Sequence, residues 1–114
     1  MPSIDTARKL ALALPETKEK KHFDTPDFRV GNKIFASLHE AKGLMMVKLN
    51  IIDQSVFCAY DPAVIYPVPG SWGTKGATFI DLKKVKQAML KDALITAWKN
   101  VATKKLVATY FGEK

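Results

Sequence analysis

The sequence predicts a single α+β domain over residues 1–114. Apolar residues recur at helical spacing near the start, short alternating runs broken by turn residues fill the middle, and a longer helical repeat closes the chain. Ser3 suits an N-cap, Asp5 complements the positive end of the helix dipole, and Ile4, Ala7, Ala11 and Leu14 share a face. Pro15 ends that helix. "KEKKHFDTP" then reads as a polar connector, and "DFRVGNKIFASL" divides at Gly31-Asn32 into a hairpin whose leading glycine suits a type II′ turn. The loop "HEAKG" leads to "LMMVKLN", where Met45, Val47 and Leu49 point one way and Leu44, Met46 and Lys48 the other. Asn50 caps a short helix in which Ile52, Val56 and Ala59 share a face, and Asp61-Pro62 closes it. Pro67 confines "AVIYPV" to an edge or a strand end, and "ATFIDL" is a further strand. Leu82, Val85 and Met89 mark one closing helix and Ile95, Trp98, Ala102 and Leu106 another, with Asp92 as a cap between them. The expected order is helix, three strands, helix, two strands, helices.

A chain of 114 residues is the size of one domain. With 47% hydrophobic and 25% charged residues it is neither disordered nor collagen-like. No window approaches the ~18–20 apolar residues of a membrane span, and "MPSIDTARKLALALPETKEK" lacks the pattern of a secretory leader, so a cytoplasmic protein with no membrane partner is expected. Cys58 stands alone, which excludes an internal disulfide and fits a small buried hydrophobe. The formal charge of +7 is uneven: residues 75–114 carry nine lysines against three acids, whereas residues 1–74 carry nine basic and eight acidic groups. Such a basic segment attracts nucleic acid or acidic partners, and is equally what two solvent-facing helices would show.

Two stretches carry a resemblance. "FRVGNKIFASL" resembles the first hairpin of the MmcQ/YjbR family, and "YPVPGSWGTKGATFIDL" followed by "LITAWKNVATKKL" resembles its second hairpin and closing helix, so the likeness runs from about Lys9 to about Leu106. The resemblance implies a two-layer α+β fold, an antiparallel sheet with helices packed on one face, related to frataxin-like and secretion-chaperone-like folds. It also implies a DNA-binding label that rests on two wing-like hairpins, and it brings no shared catalytic site. The chain departs from the family pattern at Ala97-Trp98, where many members carry Ser-Tyr, and at Asn32, where many carry glycine. Any polar task of the usual tyrosine falls here to an indole N–H, which only donates.

The loop "GSWGTKG" places Lys75 before its glycine and a strand after it, which is the wrong order for a phosphate-cradling P-loop. As a wing it fits better: Lys75 can meet a phosphate and Trp72 can stack on an unpaired base, although folding back as an apolar plug over the sheet is the commoner fate of such a tryptophan. Arg29 and Lys33 flank the first hairpin turn and can grip phosphates, unless a cross-strand partner such as Asp27 engages Arg29. His22, Asp24 and Asp27 in the polar connector are more simply a solvated turn than a site. The histidines, His22 and His39, and Cys58 lack zinc spacing, an acidic ridge for iron is missing, and Ser3, Ser37, Ser55 and Ser71 lack a nucleophile elbow. No catalytic residue, metal or cofactor is therefore expected. Met45 and Met46 suit either core filling or an adaptable apolar surface on an open sheet face. The expected function is non-enzymatic binding of DNA through Arg29, Lys33, Trp72 and Lys75, with a protein-binding adaptor as the alternative and a monomer as the simplest assembly.

Overall fold

The structure, a computed structural model, describes residues 2–22 and 25–111. Helix α1 (Ile4–Leu12) is followed by strands β1 (Lys18–His22), β2 (Thr25–Val30), β3 (Lys33–His39) and β4 (Leu44–Lys48), with a 3₁₀ turn at Glu40–Lys42. Helix α2 (Ile51–Tyr60), strand β5 (Ile65–Pro67), the short helix α3 (Ser71–Thr74), strand β6 (Ala77–Asp81) and helices α4 (Gln87–Val101) and α5 (Lys104–Phe111) complete the chain. The six strands form one sheet in the order β1-β2-β3-β4-β6-β5, and every neighbouring pair is antiparallel. Helices α1 and α4 cover one face of it, as expected for a two-layer α+β domain.

The expected caps are present. The Ser3 hydroxyl accepts from the Thr6 amide at 3.1 Å, and the Asn50 side chain accepts from the Asp53 amide at 2.7 Å. The core lies between the helices and the covered face, where Phe28, Val30, Phe35, Leu38, Met45, Val47 and Ile80 meet Leu90, Leu94 and Trp98. Ala7 and Ala11 of α1 and Ala93 and Ala97 of α4 are fully buried, so the two helices approach closely without large side chains between them. Trp98 is also fully buried, and its indole N–H donates to the Pro15 carbonyl at 2.9 Å, the donor role expected of an indole at this position. The ring packs on Phe111 of α5 at a centroid distance of 5.2 Å.

Four expectations change. The connector contains a strand: β1 is a sheet edge whose Lys18, Glu19, Lys20 and Lys21 are exposed, so it has no apolar alternation by which to be read. Charged side chains on such an edge keep it from pairing with other chains. Glu19 lies opposite Phe28 and reaches Arg8 of α1, which also binds Glu40. The hairpin turn has positive φ at both Gly31 (58°) and Asn32 (65°), the signature of type I′ in place of type II′. A register shift between Phe28 and Arg29 lets the consecutive residues Phe35 and Ala36 both be buried. Residues 82–86 are a turn, and α4 runs unbroken through Asp92, whose carbonyl accepts from the Thr96 hydroxyl, so the axis changes at Ala102 and not at Asp92.

Candidate functional site

The strand alternation that fills the core also builds the opposite face. Cross-strand pairing aligns Lys20, Asp27, Ser37, Met46, Phe79 and Tyr66 in one row across all six strands. Among the described residues α1 packs on β3 and α4 on β3 and β4, whereas Asp27, Ser37, Met46 and Phe79 of this row line an open groove. Phe79 meets His39 and Tyr66 edge to face, with centroids 5.4 and 6.1 Å apart. Ile34, Met46, Ala77 and Phe79 form the floor of a groove of about 410 Å³, and Trp72 and Val68 rise at its side.

Lys48, at the end of β4, borders this groove and two adjoining crevices. One crevice is lined by Arg29, Asn32, Lys33 and Asn100, the other by Trp72, Lys75 and Asn100. All four residues nominated from the sequence, Arg29, Lys33, Trp72 and Lys75, therefore gather at one end of the sheet around Lys48. The Asn100 amide donates to the Lys48 carbonyl at 3.2 Å, tying α4 to this end. Trp72 is 65% exposed, so the apolar plug is not its conformation: it stands as a wall of the groove.

Arg29 is engaged. Its Nε and one terminal nitrogen donate to the two oxygens of Asp27 at 2.9 and 3.2 Å. The partner sits two residues along the same strand, on the same face, and not across from it. Hydrogen bonding to Asp27 raises the Arg29 pKa further above its ordinary value. Among the described residues Lys33, Lys48 and Lys75 have no carboxylate within ion-pair distance, which leaves them to supply the cationic character of this end.

The Trp72 loop is held from beneath by a residue that the sequence reading passed over. Gln54 of α2 is buried, and its amide nitrogen lies 2.9 Å from the Gly73 carbonyl, 3.1 Å from the Ala77 carbonyl and 3.2 Å from the Thr78 hydroxyl oxygen. Thr78 in turn donates to the Gly76 carbonyl at 2.9 Å. The glycines serve packing: a Cβ on Gly73 would meet the Val68 carbonyl oxygen at 1.9 Å, and one on Gly76 the Leu49 carbonyl oxygen at 1.9 Å. Close backbone approach, not phosphate cradling, accounts for both.

His39 and Ser37 add a polar strip, with the Ser37 hydroxyl 3.0 Å from Nε2 of His39. Burial, then the nearby charge of Lys42, lowers the His39 pKa, so the imidazole is neutral at pH 7. No carboxylate hydrogen-bonds this ring among the described residues, so the pair lacks the third member of a catalytic triad. Nor do the described residues contain a cluster of three metal-ligating side chains. Of the imagined His22, Asp24 and Asp27 group, Asp24 lies outside the described residues, and Asp27 is committed to Arg29. Cys58 is half-buried, and burial pushes its thiol pKa up, away from reactivity.

Two other surfaces stand apart from this end. The Ile52, Val56 and Ala59 face of α2 points outward: Ile51, Ile52, Val56 and Tyr60 are all at least 64% exposed, while the buried residue of the helix is Gln54. Among the described residues the lysines of the last third are dispersed, since Lys84 and Lys86 flank Tyr60 and Asp61 whereas Lys99 lies 4.7 Å over the Phe111 ring.

Comparison with known proteins gives two matches. A family model described as YjbR matches residues 12–100. The crystal structure of Deinococcus radiodurans protein DR2400, described as carrying a family-model domain DUF419, superposes with a TM-score of 0.74 at 20% identity, covering 100% of this chain and 83% of that one. At that identity the likeness is one of fold. No curated protein matches the sequence.

Proposed function

The chain belongs to the YjbR family, and from the basic end of its open sheet we propose that it binds nucleic acid, with Lys33, Lys48 and Lys75 on backbone phosphates and Trp72 against a base. The observation that carries this reading is the convergence of the β2–β3 turn and the Trp72 loop on Lys48. Cations of one sign at a surface depression raise the local concentration of a polyanion, and an exposed indole stacks on any base. The role is one of binding, not catalysis, and the protein acts as a cytoplasmic monomer. Among the described residues no helix is long and apolar enough to cross a membrane.

The test is fluorescence-anisotropy titration of labelled oligonucleotides over a range of salt. Arg29 is neutralised by Asp27, so three lysines set the expectation: a log–log salt slope of about −2.7 on duplex or about −2.1 on single strands. A flat slope rejects the electrostatic reading. The exposed apolar face of α2 favours a second reading, a protein-binding adaptor. That reading predicts no salt-dependent nucleic-acid binding, and a gain of solubility when Ile52 and Val56 are made polar.

A further inference from the structure

Building on the nucleic-acid reading above, we infer that the ligand is a single strand whose bases enter the open-face groove over Met46 and Phe79 while its phosphates stay on Lys33, Lys48 and Lys75. Shape argues first. A duplex is met by convex elements that enter its grooves or by cations that follow its backbone, and its base faces are stacked out of reach. This surface is concave, with a floor of Ile34, Met46, Ala77 and Phe79, and with about 410 Å³ of space it falls in the range of pockets that enclose small ligands.

Charge argues second. Lys48 borders the groove itself and Lys33 and Lys75 line the two crevices that adjoin it at Lys48, while the ionic groups among the groove's other lining residues are Asp27, tied to Arg29, and His39, neutral at pH 7. A single strand matches that division, with its anionic backbone along the cationic end and its apolar base faces toward the floor. Aromatic groups are placed for it, since Trp72 forms a wall, Phe79 a floor, and His39 packs edge-on to Phe79. Ser37 and His39, hydrogen-bonded to each other, add a polar strip to the groove lining.

The experiment compares three probes of equal length by anisotropy: oligothymidylate, the corresponding duplex, and an abasic sugar–phosphate oligomer. Wild type is expected to hold oligothymidylate about ten-fold more tightly than the abasic strand, from base stacking. Phe79→Leu keeps an apolar side chain and removes the ring, and should erase most of that difference while leaving abasic binding unchanged. Trp72→Ala, at an exposed position with little bearing on folding, should act in the same direction and serves as the second variant. Equal affinity for abasic and base-bearing strands, or preference for the duplex with no effect of Phe79→Leu, overturns the groove assignment while the phosphate reading stands. Absence of binding to all three probes at low salt overturns the parent reading and this one with it.

Discussion

The two faces of one sheet are made from alternate residues of the same strands, and they differ in almost every respect. On β4, Met45 and Val47 are fully buried beneath the helices, while Met46 and Lys48 look out onto the open groove. The covered face is wholly apolar, with Phe28 and Phe35 among its aliphatic residues, and packs on Leu90, Leu94 and Trp98. Aromatic rings set edge to face, a half-buried ion pair, a Ser–His contact and a lysine occupy the open face. Burial selects residues by volume and apolarity alone, so the covered face says how the chain folds. A face without a helix over it is free of that selection, and its chemistry is where function can reside.

The sharpest way to break this contrast is to treat the adjacent methionines alike. Met45→Ala should cost about 2–5 kcal/mol, because it removes a core side chain and leaves a cavity. Met46→Ala, on the half-buried side of the same strand, should cost about 1 kcal/mol, near the average for point changes. Urea unfolding of both measures the difference, and equal losses would mean that the open face is packed like the covered one.

Gln54 sharpens the comparison at the groove wall. Gln54→Leu keeps the bulk but removes a donor shared by the Gly73 and Ala77 carbonyls, so a loss of about 1–3 kcal/mol is expected. The Trp72 loop should loosen with it, which fast amide exchange at Gly73 and Gly76 would report. An unchanged exchange rate would assign the loop's order to its glycine packing instead.

Much of the covered face was legible because burial writes a period into the sequence. Alternation in "LMMVKLN" places Met45 and Met46 on the correct sides, and the caps Ser3 and Asn50 announce their helices. What escaped has physical reasons too. Strand β1 is a lysine-rich edge that buries no apolar row, so only pairing with β2 reveals it. Helix α2 inverts the usual rule by exposing Ile52 and Val56 and burying Gln54, because the loop above it needs a donor more than the core needs a methyl group. Arg29, Lys33, Trp72 and Lys75 are separate in sequence, and Lys48, which joins them, carries no sequence signal beyond its direction on the strand.

Lys48→Ala should leave the fold intact, since the side chain is half-exposed and has no ion-pair partner among the described residues. Its effect belongs to binding, where the log–log salt slope should become shallower by about 0.7 on single strands or about 0.9 on duplex. Lys105→Ala on α5, away from the groove, is the matched control and should change neither quantity. A similar change in slope from both variants would make the attraction a property of net charge and not of the sheet end.

The smallest expected effect is in the pH dependence, and its sign follows from where His39 sits. Burial holds its folded-state pKa below the ordinary value, Lys42 adds to the same direction, and Glu40 of the same turn is engaged by Arg8. Above the unfolded value of about 6.5 the ring is neutral in both states and contributes no pH dependence. As pH falls below that value the unfolded chain binds the proton first, so stability declines until the folded-state pKa has also been passed. His39→Gln removes the titration, so the stability difference between wild type and variant should shift toward the variant between pH 7.5 and pH 5, a window set by the direction of the shift and about 6.5 for the unfolded imidazole. Urea midpoints at the two pH values measure it, and parallel losses in both proteins would show that the ring on the open face is already as well solvated as in the unfolded chain.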